Sequence, residues 1–151
     1  MEKRGGSGHI RITQVDIEDE SGKRNVPFFA GSKLRFLISY HGKSEVHNPR
    51  LIIGLLDLMT TKVARFDTEV AGYVPSLLPA SGQISCSTEA INLVAGRYYL
   101  NIAFLSNGEM QDYLQRQSFF DIVESNFFGT GKTFDEKEAK VLIKHEWKTL
   151  P

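Results

Sequence analysis

The stretch "GRYYLNIAFL", Gly96–Leu105, decides the fold class, because its side chains alternate in character with a period of two. That period is typical of a β-strand with one face toward a core, whereas a helix would repeat every ~3.6 residues. The apolar members are predicted to point inward: Tyr98, Leu100, Ile102 and Phe104. The residues between them are predicted to point outward: Arg97, Tyr99 and Asn101.

Similar strand patterns recur along the chain, separated by turn-forming Gly, Pro, Asn and Ser residues. The other patterned segments begin at His9, Leu34, Arg50, Lys62, Gly82, Asp112 and Lys140. The sequence shows no helical run that could cross over between parallel strands. We therefore predict an all-β protein, an antiparallel β-sandwich of about eight strands with an Ig-like or jelly-roll layout.

Two of these segments carry additional information. In "HIRITQVDIE" the apolar positions change parity at Thr13-Gln14, which predicts a β-bulge. The segment "RLIIGLLDLM" is apolar on both faces, so it predicts a central strand that is covered on both sides or by a partner chain.

Charge and cysteine content limit the possible partners. The chain has 18 Lys and Arg residues against 18 Asp and Glu residues, and the two signs are interspersed. No basic stripe is present to neutralise a phosphate backbone, so nucleic acid is not an expected partner. Cys86 is the single cysteine, which predicts no disulfide framework and no thiolate metal site, and we expect it to fill space in the core.

The N-terminal residues "MEKRGGSGHI" lack the apolar region of a signal peptide, and no run reaches the ~20 apolar residues of a membrane span. These features predict a cytoplasmic location. The "GGSG" sequence predicts a flexible tether over residues 1–8, so that the sandwich domain covers residues 9–151.

The stretch "FFGTGKTF", Phe127–Phe134, ends like a nucleotide-binding P-loop. A P-loop has the form G-x-x-x-x-G-K-[ST], but Asn126 stands at the position of the first glycine. We therefore predict a surface loop with Lys132 exposed to solvent, and no nucleotide cofactor. We also predict no catalytic and no metal-binding residues, because the carboxylates lie in polar loops and the histidines lack metal-ligand spacing.

A binding surface remains as the candidate functional feature. The segment "DYLQRQ" is the predicted hairpin partner of "GRYYLNIAFL", and its outward residues are predicted to be Tyr113, Gln115 and Gln117. Together with Arg97, Tyr99 and Asn101 they combine aromatic faces with planar amides and a guanidinium, which suits a neutral glycan. The alternative is an ordinary strand surface, because such residues are common in strands. Trp147 is predicted to be a large anchor that closes one end of the core.

Six sequence features in a fixed order resemble a known family. They are "G-x-I-R-I-T-x-V-x-I-x-D-x-x-G" (8–22), "F-x-A-G-x-K-L-R-F-L-I-S-Y" (28–40), "I-I-G-L-L-D" (52–57), "I-N-L-V-A-G-R-Y-Y-L" (91–100), "S-F-F-D-I-V" (118–123) and "K-V-L-I-K-H-E-W" (140–147). This order resembles the carbohydrate-binding C-terminal domain of the ATP-binding subunit of O-antigen polysaccharide ABC exporters, the Wzt type. The resemblance extends from about Gly8 to Trp147.

The resemblance implies a non-catalytic Ig-like sandwich that binds the non-reducing end of O-antigen polysaccharide and couples chain completion to export. It also implies a homodimer with an exchanged last strand, and a link through an ATPase domain to the membrane-embedded exporter subunit at the inner membrane. No ATPase motif is present in this chain, so no ATPase residue can be assigned to it. The alternative function is a protein–protein interaction sandwich without glycan binding.

Overall fold

The computed structural model describes residues 4–151, and all of its regular secondary structure is β-strand. The strands are β1 (Arg4–Gly5), β2 (Ile10–Asp19), β3 (Phe28–Phe29), β4 (Lys33–Gly42), β5 (Val46–His47), β6 (Pro49–Leu56), β7 (Lys62–Asp67), β8 (Leu77–Leu78), β9 (Ser81–Ala90), β10 (Gly96–Ser106) and β11 (Glu109–Val123). The predicted all-β class is confirmed.

The strands form two main sheets. The larger sheet has the order β1-β11-β10-β6-β7, with β3 also paired to β11, and the smaller sheet has the order β2-β4-β9. Every pairing in these sheets is antiparallel except that of β3 with β11. Strands β5 and β8 form a separate two-stranded pair. The layout is an antiparallel β-sandwich, as the sequence predicts.

The core lies between the inner faces of the two sheets. The predicted inward residues of β10 are all buried: Tyr98, Leu100, Ile102 and Phe104. Aromatic rings join the two sheets, because Tyr40 of β4 packs edge-on against Phe104, with ring centroids 5.2 Å apart. Such contacts between large buried rings account for much of the apolar area that the fold removes from water.

Tyr98 fixes the start of β10. Its hydroxyl donates a hydrogen bond of 2.7 Å to the backbone oxygen of Val94, four residues upstream. This arrangement is similar to the tyrosine corner of Ig-like sandwiches. Burial, with the nearby carboxylates of Glu136 and Asp57, raises the pKa of Tyr98 to about 12, so the hydroxyl remains a donor at neutral pH.

The predicted bulge in β2 is confirmed, since the pairing of β2 with β4 shifts register between Ile12 and Gln14. The prediction for "RLIIGLLDLM" is only partly correct. Its first part forms β6, which lies between β10 and β7, but the outer face of β6 is half-exposed at Ile52 and Gly54. No described residue of the same chain covers this face, which is instead the floor of a groove.

The N-terminal part of the chain differs from the predicted tether. Residues 1–3 lie outside the described residues. Arg4 and Gly5 form β1 at the edge of the larger sheet, and Ser7 and Gly8 continue with backbone hydrogen bonds to Met110 and Gln111. The glycines therefore allow this part of the chain to pair closely with β11, although its composition suggested a flexible tether.

The C-terminal segment also differs from the prediction. "KVLIKHEW" is not a strand in the described chain, because it makes only one isolated bridge, between Val141 and Leu93. Leu142 is buried, but the residues that follow are exposed. Trp147 does not close the core as predicted: it is 88% exposed, and its ring lies nearly perpendicular to that of His145, with the centroids 6.2 Å apart.

Candidate functional site

The candidate site is the outward surface of β10 and β11 with the adjoining part of β6 and β7, here called the outer face. Strand pairing arranges its side chains in rows across the sheet. One row contains Gln115, Asn101, Gly54 and Arg65. The next row contains Tyr113, Ala103, Ile52 and Asp67.

These rows explain a groove of about 580 Å³ on the outer face. Gly54 and Ala103 are small and lie in the middle of the rows, whereas Arg65 and Tyr113 are long and lie on either side. An added Cβ at Gly54 would meet only the backbone oxygen and the Cβ of Asn101, at 3.8 and 3.9 Å. The space above Gly54 is therefore open to a ligand.

At the end of the outer face near the start of β10, an ion pair between Arg97 and Asp121 lies against the ring of Phe119. Arg97 Nε donates to Asp121 Oδ1 at 2.8 Å, and its guanidinium lies over the Phe119 ring, 3.9 Å from the centroid. The hydrogen bond to Asp121 raises the pKa of Arg97 above its ordinary value. Arg97 is thus neutralised by Asp121 and has a fixed position.

A second bulge shapes the middle of the outer face. The pairing of β10 with β11 shifts register between Leu100 and Asn101, so that Leu100 pairs with Ser118 and Asn101 with Gln115. Arg116 lies in this bulge with a φ of 55°, and its backbone N–H donates to Asn101 Oδ1 at 3.0 Å. Its guanidinium lies over the Tyr99 ring, 4.4 Å from the centroid.

Five of the six predicted site residues share the outer face: Arg97, Tyr99, Asn101, Tyr113 and Gln115. The exception is Gln117, which lies in the bulge and lines a different depression beside Val26 and Pro27. Strict alternation along β11 also failed to predict Arg116, because the bulge turns it toward Tyr99. Gly54, within the apolar run of β6, could have indicated the groove floor. A glycine inside a strand often marks a position that a ligand or another backbone approaches closely.

One backbone donor of the glycine-rich loop is held by the loop's own asparagine. The backbone N–H of Gly131 donates to the side-chain oxygen of Asn126 at 2.7 Å, so a protein group already occupies that donor. Lys132 is exposed, as predicted.

A metal site requires a cluster of ligand side chains, and a reactive cysteine requires an accessible thiol of lowered pKa. Within residues 4–151 no three His, Cys, Asp or Glu side chains lie close enough to hold a metal ion. Cys86 packs against the core, and burial raises the pKa of its thiol, which disfavours a reactive thiolate. Over the same residues, none of the structure is a helix with the length and apolar character needed to cross a membrane.

An Ig-like sandwich with an open groove on one sheet, to which Tyr113 contributes a ring, is an architecture typical of binding modules. The sequence matches the Wzt C-terminal domain family over residues 1–133. The chain belongs to this family, and the resemblance found in the sequence is confirmed. Membership implies a carbohydrate-binding role in an ABC exporter.

The fold is also found in a solved structure. The crystal structure of a Wzt C-terminal domain superposes with a TM-score of 0.79 and 14% sequence identity, covering 99% of this chain and 89% of that one. A β-glucuronidase from Parabacteroides merdae aligns with a TM-score of 0.48 and 8% identity, covering 76% of this chain and 13% of the enzyme. A comparison with curated protein sequences finds no match.

Proposed function

We propose that this domain binds the terminal, non-reducing part of an O-antigen polysaccharide in the groove of the outer face. The observation that supports this most is the groove itself, in which a floor of small residues lies between Tyr113 on one side and Arg65 on the other. Tyr113 offers a ring for stacking on a sugar, and Asn101 and Gln115 offer amides beside it. Arg97 and Tyr99 extend the same surface toward Asp121.

Gly54 provides a direct test of the groove. Gly54→Val places a β-branched side chain on the groove floor, where an added Cβ makes only ordinary contacts. Since valine favours strands and glycine weakens them, we expect unchanged or slightly raised thermal stability. We expect calorimetric titration with the homologous O-polysaccharide to show at least a tenfold loss of affinity.

The matched control is Ser39→Val, which makes a β-branched change on β4, whose outer face belongs to the other sheet. This variant should bind polysaccharide like the unaltered chain. Full binding by a folded Gly54→Val variant would exclude the groove. If the unaltered chain binds no polysaccharide at all, the result favours a protein–protein interaction sandwich.

In this proposal the domain also couples completion of the polysaccharide to its export. Binding of a finished chain end would be transmitted through an ATPase domain to the membrane-embedded exporter subunit, on the cytoplasmic side of the inner membrane. No catalysis and no cofactor are assigned to the residues described here.

We further propose that the domain acts as a homodimer in which the C-terminal segment is exchanged. The support is the exposed apolar character of that segment: Ile143 is 68% and Leu150 is 81% exposed. An extended segment with exposed apolar side chains and few backbone partners is suited to pair with a sheet edge of a second copy.

A further inference from the structure

We propose that the glycan recognised by the outer face carries a negatively charged oxyanion group, and that Arg116 is the residue that binds it. This inference rests on the proposed function, because it concerns the same site. It goes further by naming the chemical class of the ligand, which the pattern of outward side chains had suggested to be neutral.

Arg116 differs from the other arginines in its lack of an acidic partner. Within residues 4–151, each other arginine has a carboxylate oxygen within 4.0 Å: Arg4, Arg11, Arg24, Arg35, Arg50, Arg65 and Arg97. Among the same residues Arg116 has none. Its Nε is buried and has no hydrogen-bond acceptor. A buried donor on a cation without an acceptor is costly, so the position of Arg116 calls for a functional explanation.

The backbone holds Arg116 in place at some expense in stability. A φ of 55° is unfavourable for a residue with a long side chain, and such strain is concentrated at functional sites. The bond from its backbone N–H to Asn101 Oδ1 holds the bulge, and stacking over Tyr99 places the guanidinium on the outer face. Asn101 itself lines the groove. Stacking leaves the planar edge of a guanidinium available for paired hydrogen bonds to an oxyanion.

The charges around the groove have the sign that an anion requires. Lys62 and Arg65 line the groove, and no aspartate or glutamate is among its described lining residues. Two carboxylates of the outer face are already paired: Asp67 with Arg50 at 2.7 Å, and Asp121 with Arg97 at 2.8 Å. Arg65 lies 3.6 Å from Asp67, whereas Lys62 has no ion pair within residues 4–151. A groove whose charged lining residues are all positive favours a negatively charged ligand.

The oxyanion could be a phosphate or a carboxylate, because a guanidinium binds both through the same geometry. The test therefore uses three forms of the homologous O-polysaccharide. The first is the isolated material, the second is dephosphorylated with aqueous hydrogen fluoride, and the third has its carboxyl groups reduced to alcohols. We expect one of the two treatments to lower the affinity of the unaltered chain, and the effective treatment identifies the group.

Arg116→Gln connects that group to the residue. Loss of a charge-assisted hydrogen bond should lower affinity for the isolated polysaccharide by roughly tenfold to a hundredfold. Arg116→Gln and the unaltered chain should bind the polysaccharide from the effective treatment with equal affinity. That polysaccharide has lost the oxyanion, so Arg116 has no group to pair with. Arg116→Lys should restore part of the affinity.

The matched control is Arg35→Gln, which removes one positive charge on the other sheet and leaves Glu18 paired with Arg24. It should bind like the unaltered chain, and a thermal melt should show that every variant is folded. Equal binding of all three polysaccharide forms, or unchanged binding by folded Arg116→Gln, would overturn the proposal while leaving glycan recognition intact. Absence of binding to every form would instead refute the proposed function.

Discussion

Asp112 is the residue that joins three separate parts of the chain. Its carboxylate is fully buried and accepts hydrogen bonds from Arg4 at 2.6 Å, from Arg11 at 2.9 Å and from the backbone N–H of Ile12 at 2.8 Å. Burial alone would raise the pKa of Asp112, but these donors outweigh it and hold that pKa below its ordinary value. The carboxylate therefore contributes to stability in its charged form.

We expect Asp112→Asn to lower the free energy of unfolding by about 3 kcal/mol at neutral pH, because it leaves two arginines without their buried partner. The loss should be measured by urea denaturation. Since the folded-state pKa is depressed, the contribution is complete above the unfolded pKa of ~3.9 and is lost as the pH falls through the folded value. The stability difference between the two proteins should therefore shrink below about pH 4.

Asp121→Asn also removes a carboxylate that pairs with arginine, but at a partly exposed position. Its comparison with Asp112→Asn therefore measures how much burial adds to the loss of stability. Asp121 is partly exposed and pairs with one arginine, Arg97, at the surface. Its loss should cause a much smaller change than the loss of Asp112. Equal effects of the two substitutions, or a difference for Asp112→Asn that does not shrink as the pH falls below about 4, would contradict this account of the buried carboxylate.

At single residues, alternation correctly predicted which face of the sheet a side chain occupies wherever the strands are regular. Tyr99 and Asn101 lie on the outer face because β10 keeps its period of two. Gln117 and Arg116 were misplaced because a bulge on β11 changes the direction of side chains without changing the sequence pattern. The hydrogen bond that holds this bulge comes from Asn101 on the neighbouring strand, so no local feature of β11 could reveal it.

Among the elements, β1 shows how close pairing can depend on glycine. Gly6 has a φ of 92°, and an added Cβ would lie 2.7 Å from the backbone nitrogen of Asp112. We expect Gly6→Ala to detach this part of the chain from β11. Hydrogen exchange should then show lost protection of the Ser7 and Gly8 amides, which donate to Met110 and Gln111, while β10 remains protected.

Gly22→Ala provides the control for this experiment. Gly22 also has a positive φ, of 84°, but no atom lies within 4 Å of its added Cβ. That variant is strained at its own turn and should leave the Ser7 and Gly8 amides protected. Retained protection in Gly6→Ala would show that β1 tolerates the extra atom and that the close approach is not needed.

The two ends of the chain were the elements that sequence patterns described least well. "GGSG" has the composition of a linker, yet its glycines fit against β11, because composition does not distinguish a free glycine from one in close contact. "KVLIKHEW" has the pattern of a strand, yet in the described chain it lacks a sheet to join. A strand pattern reports which faces are apolar and does not identify the partner.

For the whole molecule, the exposed C-terminal segment raises the question of its partner. Val141 is 52%, Ile143 68% and Trp147 88% exposed, although large apolar side chains at alternate positions are typical of a buried strand face. Leu142 and Lys140 tie the start of the segment to the body of the same chain, through a bond to Asn92 and an ion pair with Asp57. Beyond Leu142, Lys144 lies over the Phe127 ring and His145 packs against Phe128, but no strand pairing within residues 4–151 joins these residues to a sheet. The proposed exchange requires these contacts to give way to a second copy.

We therefore expect the chain to sediment as a dimer at twice its monomer mass of 17.0 kDa, and deletion of residues 143–151 to give a folded monomer. The deletion removes exposed side chains and leaves Leu142 and the sandwich core in place, so the thermal stability of the monomeric sandwich should be retained. Ile143→Ser combined with Trp147→Ser should have the same effect, because burial of both apolar side chains stabilises the dimer. The charge-removing control Lys144→Ser with Lys148→Ser should remain dimeric. A dimer that persists after the deletion would place the interface elsewhere, and a monomeric full chain at high concentration would refute the exchange.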